Sequence, residues 1–559
     1  MEQARLLIAI VLSVMVFLVW QFFFVDQKAV QKPAQQEQAA QQPAKEEPVR
    51  AAQPDAKKAA VAQPAPADVA ATPVSTPGRI PQTVTVETPL YRVKLSEKGA
   101  GFTSFLLKNY RETIRKDSPQ KELLPQDTAF ETVLTGFDGK SLAGLDTAVF
   151  SANLSADSVD IKDGPREITF SWKSDQGVVV EKTYKFSPDS YLIGLNVAIK
   201  NDSAQTIQDK FFVALNSTVP NDERMYGFEG PSTLIDKSLN EVKIKDIAEQ
   251  NTYSGNLKWV TLQDRYFMMS VIPQQVGEAS MRLYLRGQDQ IEAQYLLPDT
   301  VIGPGTRHTY QYLLFFGPKS MDILGEAGHS LNKALDFGMF DILAKPCVWL
   351  MNKLYSVIPN YGIAIIILTI LIKIILWPLG SKSYKSMSEM KKIQPLMKEI
   401  REKYKDDKKK MNEEVMSLYR TYKINPLGGC LPMVVQLPVF FALYRMLYQA
   451  IELRHAPFFL WIDDLSAPDR LFRFDIAHIP FMEPPYGIPV LTIIMGATML
   501  LQQKMSPPMG DPTQAKMMMF MPLIFTVIFI NFSAGLVLYW LVNNILSISQ
   551  QYYIQKKFA

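Results

Sequence analysis

IPNYGIAIIILTILIKIILWPL, residues 358–379, is a run of 22 mostly apolar positions with one charge, Lys373. A run this long and this apolar reads as a helix that crosses a bilayer. Comparable runs lie at 6–25, 430–450, 488–503, 517–531 and 532–551, so six spans are expected. The last two are joined only by Asn531–Gly535 and predict a tight antiparallel hairpin. The run at 488–503 has 16 residues, about 24 Å of helix against a core of ~30 Å. That predicts a locally thinned membrane or a helix end buried in protein. LLIAIVLSVMVFLVWQFFFV at 6–25 continues into Asp26 and Lys28 without a small-residue cleavage site. It reads as an uncleaved anchor rather than a signal peptide.

Averages conceal these runs. The 559 residues hold 59 basic and 55 acidic side chains, a formal charge of +4. Such a balance excludes a nucleic-acid binder that works through overall basicity, and the composition excludes collagen-like and wholly disordered chains. Charge is instead segregated between loops. Segment 380–428 is net +6, with 13 Lys or Arg and 7 Asp or Glu, whereas 451–487 is net −3. Positive loops stay in the cytoplasm. This places 380–428 inside, 451–487 outside and both termini cytoplasmic. Cys347 then lies near the outer face and Cys430 near the inner one, too far apart to pair.

Between the first two spans the composition changes twice. Residues 26–79, rich in Gln, Ala and Pro, cannot bury enough apolar surface to offset ordering entropy and read as a flexible tether. From 80 to 325, stretches such as TVTVE (83–87), GVVVEKTYKF (177–186), YLIGLNVAIK (191–200) and TYQYLLFFG (309–317) alternate or cluster β-branched and aromatic side chains between turn signals. They predict a β-sandwich on the outer side. No catalytic constellation is legible in it. Residues 331–356, LNKALDFGMFDILAKPCVWLMNKLYS, predict an amphipathic helix in the outer interface.

The six expected spans contain two cations, Lys373 and Arg445, and neither an acidic residue nor a histidine. Ion-coupled transport and intramembrane proteolysis both use such groups, so both are disfavoured. Neutral polar residues become informative instead. Lys373, Gln436 and the group Asn543, Asn544 and Ser547 lie at one level in the inner half of three spans, with Thr369 one turn above Lys373. Converging faces would line a hydrophilic groove open to the cytoplasm and to lipid. The alternative is that Lys373 snorkels while the amides bond helix to helix.

The cytoplasmic loop shows helical seams. Met390, Ile393, Met397, Ile400 and Tyr404 form one, and Met411, Val415, Leu418 and Tyr422 the other, with the polar turn Lys405–Lys408 between them. Two antiparallel helices with Lys-rich outer faces are expected, the first kinked at Pro395. Such a basic hairpin suits docking to acidic partners such as ribosomal RNA or a signal-recognition particle; the alternative is a solvated connection. Six methionines between 505 and 521 form either an adaptable apolar surface or simply the start of a helix.

Several longer stretches resemble one family. NPLGGC (425–430), LPMVVQLPVFFALYRML (431–447), APFFLWIDDLSAPD (456–469), KMSP (504–507) and MPLIFTVIFINFSAGLVLYWLVNN (521–544) are similar to YidC-type membrane protein insertases, in the long form of Gram-negative bacteria. The resemblance covers essentially the whole chain. It implies a multi-pass α-helical membrane protein of six transmembrane helices, five forming the insertase core. A periplasmic β-sandwich like the supersandwich of sugar mutarotases and a cytoplasmic helical hairpin complete it. The expected order is an anchor at 1–25, a linker at 26–79, the β domain at 80–325, the interfacial helix at 331–356 and the second span at 358–379. The hairpin at 380–428, four spans within 430–551 and a cytoplasmic tail at 552–559 follow.

In function, the resemblance implies that nascent membrane proteins are inserted and folded into the inner membrane, alone or with the Sec translocon, among membrane lipids and without nucleotide, metal or catalytic residue. The family's groove cation falls on Lys373, where arginine is usual; the charge is kept and the fork of donors is lost. Its substrate-contact aromatics fall on Tyr539 and Trp540, with Trp540 in place of the usual tyrosine. A reading of another class is an envelope protein that binds or modifies carbohydrate through its β domain and is only anchored by its helices.

Overall fold

In Val178–Phe186, VVVEKTYKF, alternate side chains from Val178 onward are buried and those between them face outward. This period-two pattern is what a strand with one covered face requires. It recurs along most strands between Thr83 and Pro318, which form sheets of five and thirteen strands. The computed structural model describes residues 80–558 except 125–130, 140, 155, 220–226, 288, 423–430, 475–478 and 507–511. The expected anchor, the tether and NPLGGC with Cys430 lie outside the described residues.

Thr83–Glu87, Tyr91–Ser96 and Phe102–Arg111 run antiparallel in the smaller sheet. Val178–Phe186, Leu192–Asn201 and Thr306–Pro318 do so in the larger. Their inner faces meet in an aromatic core: Phe102 stands 5.3 Å from both Tyr184 and Phe316, and Phe105 stands 5.0 Å from Phe316. This is the β-sandwich that alternation predicted. Lys182 occupies an inward position and is fully buried. Its Nζ donates to the carbonyls of Gly99 at 2.8 Å and Val133 at 3.0 Å, and so ties the two sheets' connecting segments to the core.

Helices dominate after Pro318. They are α1 (Met321–Ala327), α2 (Asp341–Val357), α3 (Tyr361–Lys392), α4 (Gln394–Lys403), α5 (Lys408–Thr421), α6 (Leu431–Gln449), α7 (Val490–Met505), α8 (Pro512–Phe529) and α9 (Ala534–Phe558). By length and composition, α3 is the one helix among the described residues able to cross a membrane; Val490–Met505 and Met518–Phe529 are apolar but shorter. The interfacial helix expected at 331–356 is shorter than its pattern suggested. Leu331–Ala334 and Gly338–Phe340 are separate 3-10 turns. Gly338 takes a positive φ there, and the Asp341 carboxylate accepts from Phe337 N at 2.8 Å where the continuous helix begins. Helix α2 is two-faced: Ala344, Val348 and Met351 are buried, whereas Ile342, Trp349 and Val357 are exposed.

Residues 395–422 cluster apart from the other described residues. Helix α5 starts at Asp407, whose carboxylate accepts from Lys410 N at 3.0 Å, a side-chain cap on the turn that the polar residues predicted. The seam differs in one member. Tyr422 is exposed, and Tyr419 instead brings its hydroxyl to 3.6 Å from the Met397 sulfur.

The helix ends nearest the β domain are firmly tied. Arg265 of the β domain donates to the Tyr448 carbonyl at 2.6 Å, and its guanidinium lies 3.7 Å from the Tyr448 ring. Arg454 reaches back to the Arg111 carbonyl at 2.6 Å. Asp469 and Arg470, both buried, serve two helix ends at once. Asp469 accepts from Trp461 Nε1 at 2.5 Å and from the Leu491 amide in the first turn of α7. Arg470 donates to the Ile530 carbonyl just past α8 at 2.8 Å. An anion at a helix start and a cation at a helix end match the dipoles of both. Burial still pushes the Asp469 carboxyl above its ordinary range, because desolvation outweighs these bonds.

Burial pushes the Lys182 amine down to about 7, against a smaller opposing pull from Glu131. In an unfolded chain it titrates near ~10.4. Between these values the unfolded chain holds a proton that the folded one lacks, so stability rises with pH, by at most about 1.4 kcal/mol per pH unit. Below about pH 7 the amine is protonated in both states and the slope vanishes. Lys182→Met should abolish the rise and, at high pH, cost about 1–3 kcal/mol for two orphaned carbonyls. Thermal unfolding of the full chain in detergent at several pH values checks this, and equal slopes in both proteins would contradict it.

Candidate functional site

Helix α3 carries Lys373 nine residues, about two and a half turns, before Lys382, where charged residues resume. The helix starts cleanly, because Asn360 caps it by accepting from Ile363 N at 3.1 Å. Beside it lies α9, and there the chain separates its polar from its apolar side chains. Leu536, Val537, Leu538 and Leu541 are buried in the first half of α9; Asn543, Asn544, Ser547, Gln550 and Gln551 are buried further on. In a helix these polar residues spread over adjoining faces that meet both neighbours.

Three groups converge at the centre of the site. Lys373 Nζ donates to Ser547 Oγ at 2.7 Å and to Asn543 Oδ1 at 3.3 Å. Ser547 donates in turn to the Asn543 carbonyl at 2.7 Å. The Tyr384 side chain, three turns along α3 from Lys373, hydrogen-bonds with Ser547 and with Gln502 of α7. Below this node Gln550 Nε2 donates to the Trp377 carbonyl at 3.1 Å and to Ser381 Oγ at 3.2 Å. The approach is close: a Cβ at Gly380 would stand 3.0 Å from the Gln550 amide. On the other side Asn544 Nδ2 donates to Thr498 Oγ1 at 3.2 Å, and Gln555 Nε2 to the Met505 carbonyl at 3.1 Å.

The remaining candidates are engaged elsewhere. Thr369 is buried and donates to the Ile365 carbonyl of its own helix at 2.6 Å. Gln436, half-buried on α6, hydrogen-bonds with the Tyr539 side chain. Tyr539 is buried. Trp540 packs edge-on against Phe440 at 4.6 Å and stands 5.3 Å from Phe529, with its indole nitrogen buried and unpartnered among the described residues. The aromatic pair thus sits in the packing between α6, α8 and α9, while Lys373 meets the polar half of α9. Arg445, the second cation of the expected spans, lies against Gly338, where a Cβ would clash with its guanidinium.

Sequence spacing missed Tyr384, Gln502, Thr498, Gln550 and Gln551. Tyr384 was findable: it is eleven residues from Lys373, three turns on one helix face. Gln550 lies three residues beyond Ser547 and shares its face in the same way. Chemically, the site is a cation held by neutral acceptors. Lys373 forms no ion pair among the described residues, so two of its three donors are met by neutral groups while its charge is not cancelled. Among the described residues there is also no group of three His, Cys, Asp or Glu placed to hold a metal ion.

Comparison with known proteins shows the family. The family model "60Kd inner membrane protein" matches residues 353–559, and "YidC periplasmic domain" matches 83–350. A membrane protein insertase YidC of Syntrophus aciditrophicus is 41% identical over 99% of both chains. That of Geobacter metallireducens is 41% identical over 100% of this chain and 99% of its own. The chain belongs to the YidC family of membrane protein insertases. It is therefore an inner-membrane insertase rather than an enzyme, with a periplasmic β domain, and nascent membrane proteins are its substrates. Among solved structures, an active YidC insertase with its first transmembrane domain resolved is 17% identical, covers 85% of this chain and 93% of its own, and superposes with a TM-score of 0.37. A galactose mutarotase related enzyme from Lactobacillus acidophilus covers 42% of this chain and 97% of its own, at 13% identity and a TM-score of 0.31.

Ser547 joins Lys373 and Tyr384, so it is the member of this polar cluster whose loss should be felt most in packing. Ser547→Ala should cost about 1–2 kcal/mol. Ser549→Ala, which removes only an exposed bond to the Ile545 carbonyl, should be neutral. Melting temperatures of the full chain in detergent compare them, and equal shifts would deny the node its role.

Proposed function

We propose that the polar half of α9, with Lys373 opposite, lines a groove in the inner leaflet, open to the cytoplasm and to lipid, along which a nascent segment enters. The observation that carries this reading is Lys373 itself, whose partners Asn543 and Ser547 are neutral. A cation in hydrocarbon is costly and is retained where it acts. Its uncancelled charge lowers the cost of bringing a short polar or acidic tail partway across. The apolar flank of the client then moves out past α7 and α8 into lipid, and hydrophobic transfer supplies the drive. The buried apolar side chains in the outer half of α9 support a groove rather than a pore.

In this reading the chain spans the membrane six times, with both termini cytoplasmic and the β domain periplasmic. Support comes from the opposite charges of segments 380–428 and 451–487. Thr369, Gln436 and Asn544 border the groove, and Tyr539 and Trp540 meet the client's apolar side. The basic hairpin docks the ribosome and the signal-recognition machinery, and the outer half of the core meets the Sec translocon for larger clients.

Lys373→Ala should slow insertion of a small two-span client with an acidic tail roughly tenfold, the effect of losing about 1.4 kcal/mol. Lys373→Arg should retain it. Insertion measured in cells depleted of the native protein decides this. Equal insertion with Ala at 373 would return Lys373 to a snorkelling role.

A further inference from the structure

The segment between α6 and α7 carries large apolar side chains on its outside. Leu460 is 91% exposed, Phe481 77% and Phe472 68%. All three hold a positive φ, at 60°, 62° and 50° respectively. Left-handed backbone is unfavourable for such residues and persists only where the surroundings impose it. Here they do. Phe472 falls at the register shift between Leu471–Phe474 and Tyr486–Ile488, and a bulge re-aims the side chain it carries. Phe481 is held by the Asn531 amide: its carbonyl accepts from Asn531 Nδ2 at 3.1 Å, and Glu483 N donates to Asn531 Oδ1 at 2.9 Å. Leu460 tops a turn closed by Phe458 N donating to the Ile462 carbonyl at 2.9 Å. The Phe458 ring in that turn rests on Gly362 in the first turn of α3.

These points therefore project outward from rigid backbone at the ends of helices. Phe481 adjoins the turn between α8 and α9, next to the exposed Val527 and Ile528 of α8; Phe472 adjoins the start of α7, which exposes Ile493 and Ile494. At Phe472 and Phe481 the loop's apolar side chains adjoin the exposed apolar residues of those helices.

We propose that the loop is a lipid anchor: Leu460, Phe472 and Phe481 enter the outer leaflet at the boundary between headgroups and acyl chains. The partner is phospholipid, because the patch is continuous with helix faces that meet lipid. This rests on reading α7 and α8 as membrane-embedded. It also supplies what α7 lacks. At 16 residues α7 is about 24 Å long, and aromatic side chains at its outer end cover lipid-exposed length that the helix does not reach. Large apolar and aromatic side chains favour that depth.

The test uses the full chain with Cys347→Ser and Cys430→Ser, carrying one new cysteine at Phe481, Leu460, Ile494 or Val276. Each variant is labelled with an environment-sensitive fluorophore and reconstituted into vesicles of phosphatidylethanolamine and phosphatidylglycerol, with or without lipid bearing a nitroxide high on the acyl chain. Val276 is an exposed residue of the β domain and reports a site in water. Quenching at Phe481 and Leu460 is expected to match that at Ile494 and to exceed that at Val276 several-fold. Quenching at Ile494 with none above the Val276 level at the two loop sites overturns the anchor alone. No quenching at Ile494 overturns the membrane placement of α7 and the anchor with it.

Discussion

A charge among apolar helices must have its hydrogen bonds met, and the way Lys373 meets them organises the inner half of the helical core. Its acceptors are Asn543 and Ser547. A carboxylate in their place would have formed an ion pair, stable in low dielectric and electrostatically silent from outside. Amide and hydroxyl acceptors solvate the ammonium and leave its field intact. The requirement spreads from there. Ser547 is shared with Tyr384, Tyr384 with Gln502, and Gln550 completes the seam along α3. A polar stripe on α9 follows from one cation.

The two ends of the helical core are built from different materials. At the outer end the ties are charged or aromatic: Asp469 and Arg470 on the termini of α7 and α8, Arg265 on Tyr448, and the packing of Phe440, Phe529 and Trp540. Charge-assisted bonds are roughly twice as strong as neutral ones. Toward the other end the helices meet through Asn, Gln, Ser, Thr and Tyr, and such contacts within a membrane contribute only about 0.6 kcal/mol each on average. A core fixed at one end and lightly held at the other can part locally without unfolding. The proposed entry of a client from the cytoplasm and its sideways release would use that asymmetry.

Much of this was legible in the sequence. Period-two alternation located Val178–Phe186 and Thr306–Pro318 within a few residues, because a strand with one covered face has little freedom in register. Lys373 stood out as a lone charge in its run. Other features depended on geometry that spacing does not encode. Asp469 and Arg470 look like ordinary loop charges until the fold brings Leu491 and Ile530 to either side. Spacing likewise does not say what a ring packs on: Trp540 rests against Phe440 and Phe529. The interfacial pattern at 331–356 was continuous in hydrophobicity, yet Gly338, with its positive φ, interrupts the helix.

The identity of the cation also bears on what the groove recognises. Resemblance puts an arginine at position 373, whose planar fork can hold a carboxylate by two parallel bonds. A lysine presents three donors from one nitrogen, and two of them are committed to Ser547 and Asn543. One remains, without the geometry for bidentate capture. In the proposed groove, recognition would therefore depend on charge and distance rather than on the shape of an acidic group. Attraction of that kind draws in a polar or acidic tail without binding it in a fixed pose. For a groove whose clients must leave, a diffuse hold serves better than a tight one, since any free energy invested in capturing the tail has to be recovered when the segment moves into lipid.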